Sequence, residues 1–563
     1  MRGVAVLASV VITVVAAAAT AQPNVSLILQ PPILPPGSSS PLAIASGDLD
    51  GDGNIDLAVA NYDTDDVSVL WGNGDGTFTP GASTFIVGTN PNGEAPVAIA
   101  IADINGDGKL DIVTANELAD TVSVLLNQGG RTFATAQEST VSPSADIAMS
   151  PEAVAVGDFN GDGKLDVVTP NILDDSVTVL LGNGDGTFSI LSLCSTAPTQ
   201  SCSNDSQCPS SGTCTPQVIP VGSEPDAVVA VNLNHNAAGI LDLVVANSSG
   251  GVYGLGSLTV LQGLGTGAFA CVAGSDPSCP TAEITSSTFD DPVVMTTADL
   301  NDDGNPDLVV VNDNGDSLSV LLGNGDLSFQ DAFALNLSEG SEPEGVVVAD
   351  FNGDGIPDIA SSASFLDNVT VFVGQGNGNF AAPVDFAVPV NSYPWGVAVG
   401  DFNGDGKPDL AAADFTDPGM VSVLLNASGI TLAAAVAATD TTITLTNAGP
   451  LPASGTIVID QEQIIYTGKQ GNTLIGLTRG ANGTAAAAHA AGAAVTFVPP
   501  SSCVGDCTAT GSVDVEDILT MVNIALGNVP LSSCLAGDAN DDGQITVDEI
   551  LTAVSNALYG CGG

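Results

Sequence analysis

Apolar residues in this chain fall in short blocks at strand period, and the blocks recur in one order. The clearest copy spans residues 153–188. Residues 153–157 form a run of small side chains that ends at an Asp- and Gly-rich loop. Residues 165–169 and 177–181 are β-branched apolar runs, predicted as a second and a third strand. The turn Gly182-Asn183-Gly184-Asp185-Gly186 follows, and Phe188 opens a fourth strand. The same turn recurs over residues 72–76 and, less cleanly, at Gly323 and Gly374. Four strands per unit, the first built of small residues, predict the blades of a β-propeller around a narrow channel.

The polar loop between the first two strands is written six times over nine residues. Its first copy presents Asp48, Asp50, Asp52, Asn54 and Asp56, and its second Asp103, Asn105, Asp107, Lys109 and Asp111. The third presents Asp158, Asn160, Asp162, Lys164 and Asp166, and the next Asp299, Asn301, Asp303, Asn305 and Asp307. The last two present Asp350, Asn352, Asp354, Ile356 and Asp358, then Asp401, Asn403, Asp405, Lys407 and Asp409. Positions 1, 3, 5 and 9 carry acids or amides, and position 6 is Gly, where the chain turns sharply. Oxygen donors crowded in this way suit a hard cation that takes six to eight ligands, which points to calcium. An EF-hand would place a bidentate Glu at position 12 and a helix after it. Position 12 of the second copy is Thr114, inside a β-branched run, so these loops join strands.

Successive copies start 55, 55, 51 and 51 residues apart, with one gap of 141. That gap contains a worn copy. Asn232, Asn234 and Asn236 replace the acids, and a two-residue insertion delays the closing acid to Asp242. A fixed pitch is the mark of a repeat architecture, here of seven units. The seventh lacks a Phe-led fourth strand, and residues 24–30 are expected to supply it and close the ring.

The loops, the AVAVGDFNGDGK text and the GNGDGTF turns resemble FG-GAP/VCBS repeats, the units of the seven-bladed propeller of integrin α-subunits. The resemblance covers about residues 24–429. It implies calcium ligation by the side chains at positions 1, 3, 5 and 9. At position 7 (Asn54, Lys109, Lys164, Asn305, Ile356, Lys407) it implies the backbone carbonyl. Six calcium ions are expected, with blade four the weak site.

Charge narrows the partners. The chain has 64 acidic and seven basic residues, a net charge of −57. Nucleic acid binding needs a basic footprint, so it is excluded as a natural partner. Forty-four per cent of residues are hydrophobic, which argues against a disordered acidic chain. Arg2, the apolar run 4–19 and Ala19-Thr20-Ala21 read as an export signal over residues 1–21, with a mature start at Gln22. No other apolar stretch is long enough to span a membrane, so no transmembrane anchor is expected.

Ten cysteines in an exported chain predict disulfides. Cys194, Cys202, Cys208 and Cys214 lie in an insert at about residues 190–217. Cys271 and Cys279 lie in a second at about 270–280, and Cys503, Cys507, Cys534 and Cys561 near the C-terminus. Pairing is expected within groups, and the two inserts are expected side by side.

Residues 430–500 read as a small all-β module, with strands at 441–446, 456–460, 463–467 and 473–477. Its text resembles a short domain of bacterial and phage surface proteins, and its lone His489 reads as structural. Residues 501–563 hold a loop-then-helix unit twice at a pitch of 32. The second loop carries a full EF-type set, Asp538, Asn540, Asp542, Gln544 and Glu549, while the first has Thr508 and Thr510 in place of ligands. Two loop–helix units without entering helices resemble a dockerin. This implies at least one further calcium and a cohesin-like partner.

No GxSxG, HExxH or phosphate loop is present, and the two histidines, His235 and His489, lie in separate modules. The expected function is therefore non-enzymatic: a secreted, calcium-dependent recognition or adhesion scaffold for an extracellular protein or glycan. The alternative is a carbohydrate-active enzyme or accessory subunit of a polysaccharide-degrading assembly, resting on carboxylates alone.

Overall fold

A computed structural model of the chain describes residues 25–498, except 83, 89–92, 145–146, 203–204, 210–211, 217, 237, 250–254 and 272–282, together with 515–526, 545, 550 and 553. The chain is mainly β. Among the described residues, seven antiparallel sheets of four or five strands follow one another from Leu27 to Asn426.

Each sheet runs in order from its first strand outward. In the third sheet Ala155–Gly157 pairs with Asp166–Asn171, which pairs with Ser176–Gly182. The second strands, such as Asp56–Asn61, Asp166–Asn171 and Asp307–Asn312, are buried at every residue. Strands covered on both faces read as continuous apolar runs, as these do. First strands such as Pro96–Ala102 are only half-buried, and outer strands such as Phe333–Asn336 alternate with solvent.

The apolar clusters show how the sheets associate. Each joins two sequential sheets, as Ile112 and Leu125 of the second sheet pack with Val67, Val69 and Trp71 of the first. The last of the series joins Ala411, Val421 and Leu425 of the seventh sheet to Leu57, Val59 and Leu70 of the first, so the clusters form a closed cycle. The seventh sheet takes its outer strand from the start of the chain: Leu27–Leu29 pairs with Met420–Asn426. The arrangement is propeller-like.

Two details differ from the sequence expectation. The first strand of the third sheet is shorter, Ala155–Gly157. The fourth strand is not uniformly led by Phe. In the first, third and fourth sheets it is split, as Phe188–Ile190 and then Val218–Pro220, both pairing with Ser176–Gly182. In the second, fifth and sixth sheets the turn Phe makes only an isolated bridge, and the strand starts later, at Gln137, Phe333 or Val384. The cysteine insert thus interrupts an outer strand. It is a small sheet of its own, Ser192–Cys194 with Ala197–Ser201 and Cys214–Pro216. Disulfides Cys194–Cys208 and Cys202–Cys214 close it. Cys271 ends the strand Phe269–Cys271, while Cys279 with the rest of the second insert and the four C-terminal cysteines lie outside the described residues.

Residues 430–498 form two small sheets. Beyond the four expected strands they contain Gly468–Gln470, Thr478–Ala481 and Val495–Val498. The core of this module includes Ile457, Ile464, Tyr466 and Leu474, and it shares Ile28 and Ala427 with the seventh sheet. A helix covers Val515–Ala525. Its Met521 and Ile524 are buried beside Ile545 and Ala553. Leu519 of the same helix is 55% exposed. The loop residues Asp538, Asn540, Asp542, Gln544 and Glu549 lie outside the described residues. No helix among the described residues is long and apolar enough to cross a membrane.

Candidate metal centres

The six loops sit at one end of the sheets, between first and second strands, and share one hydrogen-bond plan. The position-1 carboxylate accepts the position-6 N–H, as Asp158 Oδ2 does from Gly163 at 2.8 Å and Asp401 Oδ2 from Gly406 at 2.8 Å. The position-3 oxygen accepts the position-5 N–H, as in Asn160 from Asp162 at 2.8 Å. The position-5 carboxylate accepts the position-7 N–H, as in Asp162 from Lys164 at 2.9 Å. Gly163 and its counterparts have φ near +80°, a conformation that favours glycine. Each acid or amide at positions 1, 3 and 5 is thereby aimed by the backbone of its own loop.

Position 9 is different. Its Asp opens the second strand and is fully buried in all six loops. One oxygen accepts the position-2 N–H, and the other accepts the N–H at the end of the third strand. For Asp56 these donors are Leu49 at 2.8 Å and Gly72 at 2.7 Å. For Asp409 they are Phe402 at 2.9 Å and Asn426 at 2.7 Å. Burial pushes Asp56 up to about 6, against the pull of the Gly72 and Leu49 N–H groups. Burial likewise pushes Asp409 to about 7, against Asn426 and Phe402. A divalent cation beside such a group would favour its charged form. The position-9 Asp therefore ties three backbone segments together besides facing the loop.

The donors suit a hard cation. In the first loop Asp48, Asp50 and Asp56 each bring a carboxylate oxygen to within 4.8 Å of the others. All side-chain donors at positions 1, 3, 5 and 9 are oxygens, the chemistry calcium prefers. Position-7 side chains point to neighbours instead. Lys109 pairs with Asp107 at 2.7 Å, Lys407 donates to the Ser428 carbonyl, and Asn305 meets His235 Nε2 at 2.8 Å.

Three loops have extra partners. In the worn fourth loop the Asn236 Nδ2 group donates to Asn232 Oδ1 at 3.1 Å, Asn234 Oδ1 at 2.9 Å and the Ile240 carbonyl at 2.8 Å. With the two-residue insertion these oxygens stand at positions 1, 3 and 7. An amide thus sits among donors that would face a cation. In the last loop Asn447 of the following module donates to Asp405 at 2.8 Å. In the first, Arg131 Nε lies 2.6 Å from Asp50.

The opposite end holds features the sequence reading did not single out. Burial, reinforced by neighbouring acids, pushes Glu344 up to about 8 and Glu152 and Asp226 to about 7. Nearby, Trp395 stacks on Phe415 with ring centres 5.2 Å apart, and Phe365, 60% exposed, meets Tyr393 edge-on at 5.8 Å. These residues lie at or just before the start of first strands, or in the turns between second and third strands, where no shared motif flags them. His489 is buried between Glu462 and Asp460, 2.7 Å from each. Burial raises the Glu462 pKa, but the Arg479 fork, the Ala487 N–H and His489 outweigh it and hold this carboxyl at about 2.

Comparison with known proteins agrees with the loop pattern. The FG-GAP-like repeat matches residues 48–114, 103–169, 299–361 and 360–412, and the FG-GAP repeat matches 150–190. Phosphatidylinositol-glycan-specific phospholipase D from Bos taurus and from Homo sapiens is 30% identical over 156 residues. That match covers 22% of this chain and only 18% of each relative. Among solved structures, an Agrocybe aegerita lectin is 23% identical, covering 69% of this chain and 86% of its own, with a TM-score of 0.40. Virginiamycin B lyase from Staphylococcus aureus is 12% identical over 71% of this chain and 99% of its own, at 0.42. The V. cholerae biofilm matrix protein Bap1 is 13% identical over 72% and 91%, at 0.38. Loop geometry and repeat matches coincide, and residues 48–190 and 299–412 carry FG-GAP repeats.

Proposed function

We propose that this chain is a secreted, calcium-binding scaffold for extracellular recognition or adhesion, with the seven sheets acting as blades of one closed propeller. The observation that carries this reading is the common cradle of the six loops, where the backbone orders three acidic or amide side chains around one centre in each. Position-1, -3, -5 and -9 side chains and the position-7 carbonyl would hold the cation. Calcium supplies charge neutralisation and rigidity at that end of a chain with net charge −57.

With metal assigned to one end, the other is free to meet a ligand. Its aromatic side chains Phe365, Tyr393, Trp395 and Phe415 suit stacking on a sugar or packing against a protein surface. Residues 501–563 would serve as a dockerin-like attachment module with its own calcium, held by Asp538, Asn540, Asp542, Gln544 and Glu549, and a cohesin-like partner. Two disulfides in the insert fit an oxidising, extracellular setting. A glycan array and a reducing-sugar assay on one preparation test the reading. Calcium-dependent binding without turnover is the expected result, and sugar release without retained binding would overturn it.

A further inference from the structure

At one seam between sheets, three residues depart from the repeat together. The turn after each third strand has six counterparts, and its fifth position is Gly76, Gly186, Gly267 and Gly378 in four of them. Leu327 and Arg131 stand in the other two. All six have positive φ, from +66° at Arg131 to +91° at Gly186. The four glycines pack against a leucine of the preceding sheet: Gly76 on Leu425, Gly186 on Leu126, Gly267 on Leu181 and Gly378 on Leu322. At the seam between the first and second sheets that leucine is Trp71 and that glycine is Arg131. The first loop also differs. It alone among the six has an acid, Asp50, at position 3, where the others have Asn.

The three exchanged residues meet. Arg131 Nε lies 2.6 Å from Asp50 Oδ2, and Nη2 lies 3.7 Å from Asp52 Oδ2. Its guanidinium sits 5.2 Å from the Trp71 ring centre, within cation–π range. The Asp50 side chain is only 6% exposed, so the pair is partly shielded from water and salt. An L side chain in left-handed backbone is strained, and here that strain persists where the other seams mostly keep glycine.

We propose that Arg131 is a resident counter-cation of the first loop, which neutralises its fourth acid and makes this loop the weakest calcium site of the six. This rests on the calcium reading above. The guanidinium engages Asp50 Oδ2, the oxygen that an Asn at position 3 lacks, while Oδ1 accepts the Asp52 N–H at 3.0 Å as the Asn oxygen does in the other loops. It thereby holds the position-3 carboxylate, and its charge opposes an arriving divalent ion. In exchange, the seam between the first and second sheets keeps an ionic tie when metal is absent. The first loop would thus respond to calcium at concentrations where the other five are already filled.

Arg131→Gly restores the residue usual at this turn and relieves its φ, so it is expected to fold. Arg131→Gln keeps the side-chain length without the charge. The probe is terbium, excited through Trp71, with Asp48→Asn used to assign the first-loop signal. Both Arg131 variants are expected to bind terbium at the first loop about tenfold more tightly. Both should also melt lower than the parent in chelator, because Asp50 loses its partner. Unchanged or weaker first-loop binding in both variants, with the other loops still binding, would overturn this proposal alone. Absence of terbium and calcium binding at every loop would overturn it together with the calcium reading.

Discussion

Single side chains in the loops divide into those that aim and those that brace. Asp166 is buried and accepts N–H groups from Phe159 at 3.0 Å and Gly182 at 2.7 Å. Asp166→Asn puts an amide against one of these donors, so it should cost ~1–3 kcal/mol even in chelator. Asp158 is half-buried and bonds within its own loop, so Asp158→Asn should mainly remove the stability gained on adding calcium. Urea unfolding of both variants with and without calcium checks the contrast. Both roles fall on residues the sequence singled out, but only the proposed ligand role was legible there. The bracing role needs the N–H at the end of the third strand, 16 residues on, and no motif encodes that contact. At the opposite end, Glu344 shows a second effect hidden from the sequence. Its folded pKa is raised to about 8 by burial first and then by Asp313 and Asp291. A raised carboxyl favours the folded state when protonated, so its contribution is complete below about pH 4.5 and is lost as pH rises towards 8. In chelator, stability should fall over that window, and Glu344→Gln should recover ~2 kcal/mol at pH 8. A pH series of melting curves reads this out, and an unchanged slope in the variant would contradict it.

At the scale of elements, the strands with buried faces were the legible part. Val, Leu, Ile and Ala at strand period located the second and third strands in every repeat, because burial on both faces forces an apolar run. Outer strands were harder. They alternate with solvent and are split in three sheets, so the turn-led Phe marked the beginning of the strand in those three and only an isolated bridge ahead of it in three others. The donated strand Leu27–Leu29 was expected from the missing fourth strand of the last repeat, and it pairs there. Its Ile28 is 3% exposed and also enters the core of the following module. Ile28→Asp should therefore cost ~3 kcal/mol or more and lower the melting of both units, as calorimetry would resolve. The disulfide insert makes the opposite case. It hangs from an interrupted outer strand as its own small sheet. Cys202→Ser should remove ~2–4 kcal/mol from the insert, seen as faster proteolysis within residues 192–216, while the main melting transition stays in place.

Over the whole molecule, seven apolar clusters tie each sheet to the next and the last to the first, so no sheet in the ring has an uncovered face. Charge works the other way. An excess of 57 negative charges gathers partly in loops at one end, and self-repulsion there opposes the compact state. Repeat pitch made the count of units legible, while the shared core between ring and module was not, since it joins residues such as Ile28 and Tyr466 that are far apart in sequence. The worn loop, filled by the Asn236 amide, should take no metal. If cations hold the loop end together, removing them should loosen it. The most direct measurement is calcium content by mass spectrometry of the folded chain, with paired melting curves in calcium and in EGTA. Six bound ions in residues 22–429 and at least one more in residues 501–563 are predicted, with ~4 kcal/mol of stabilisation per site at a thousandfold excess over Kd and melting raised by many degrees. No bound calcium, with identical melting in calcium and in EGTA, would show that these loops are not metal sites.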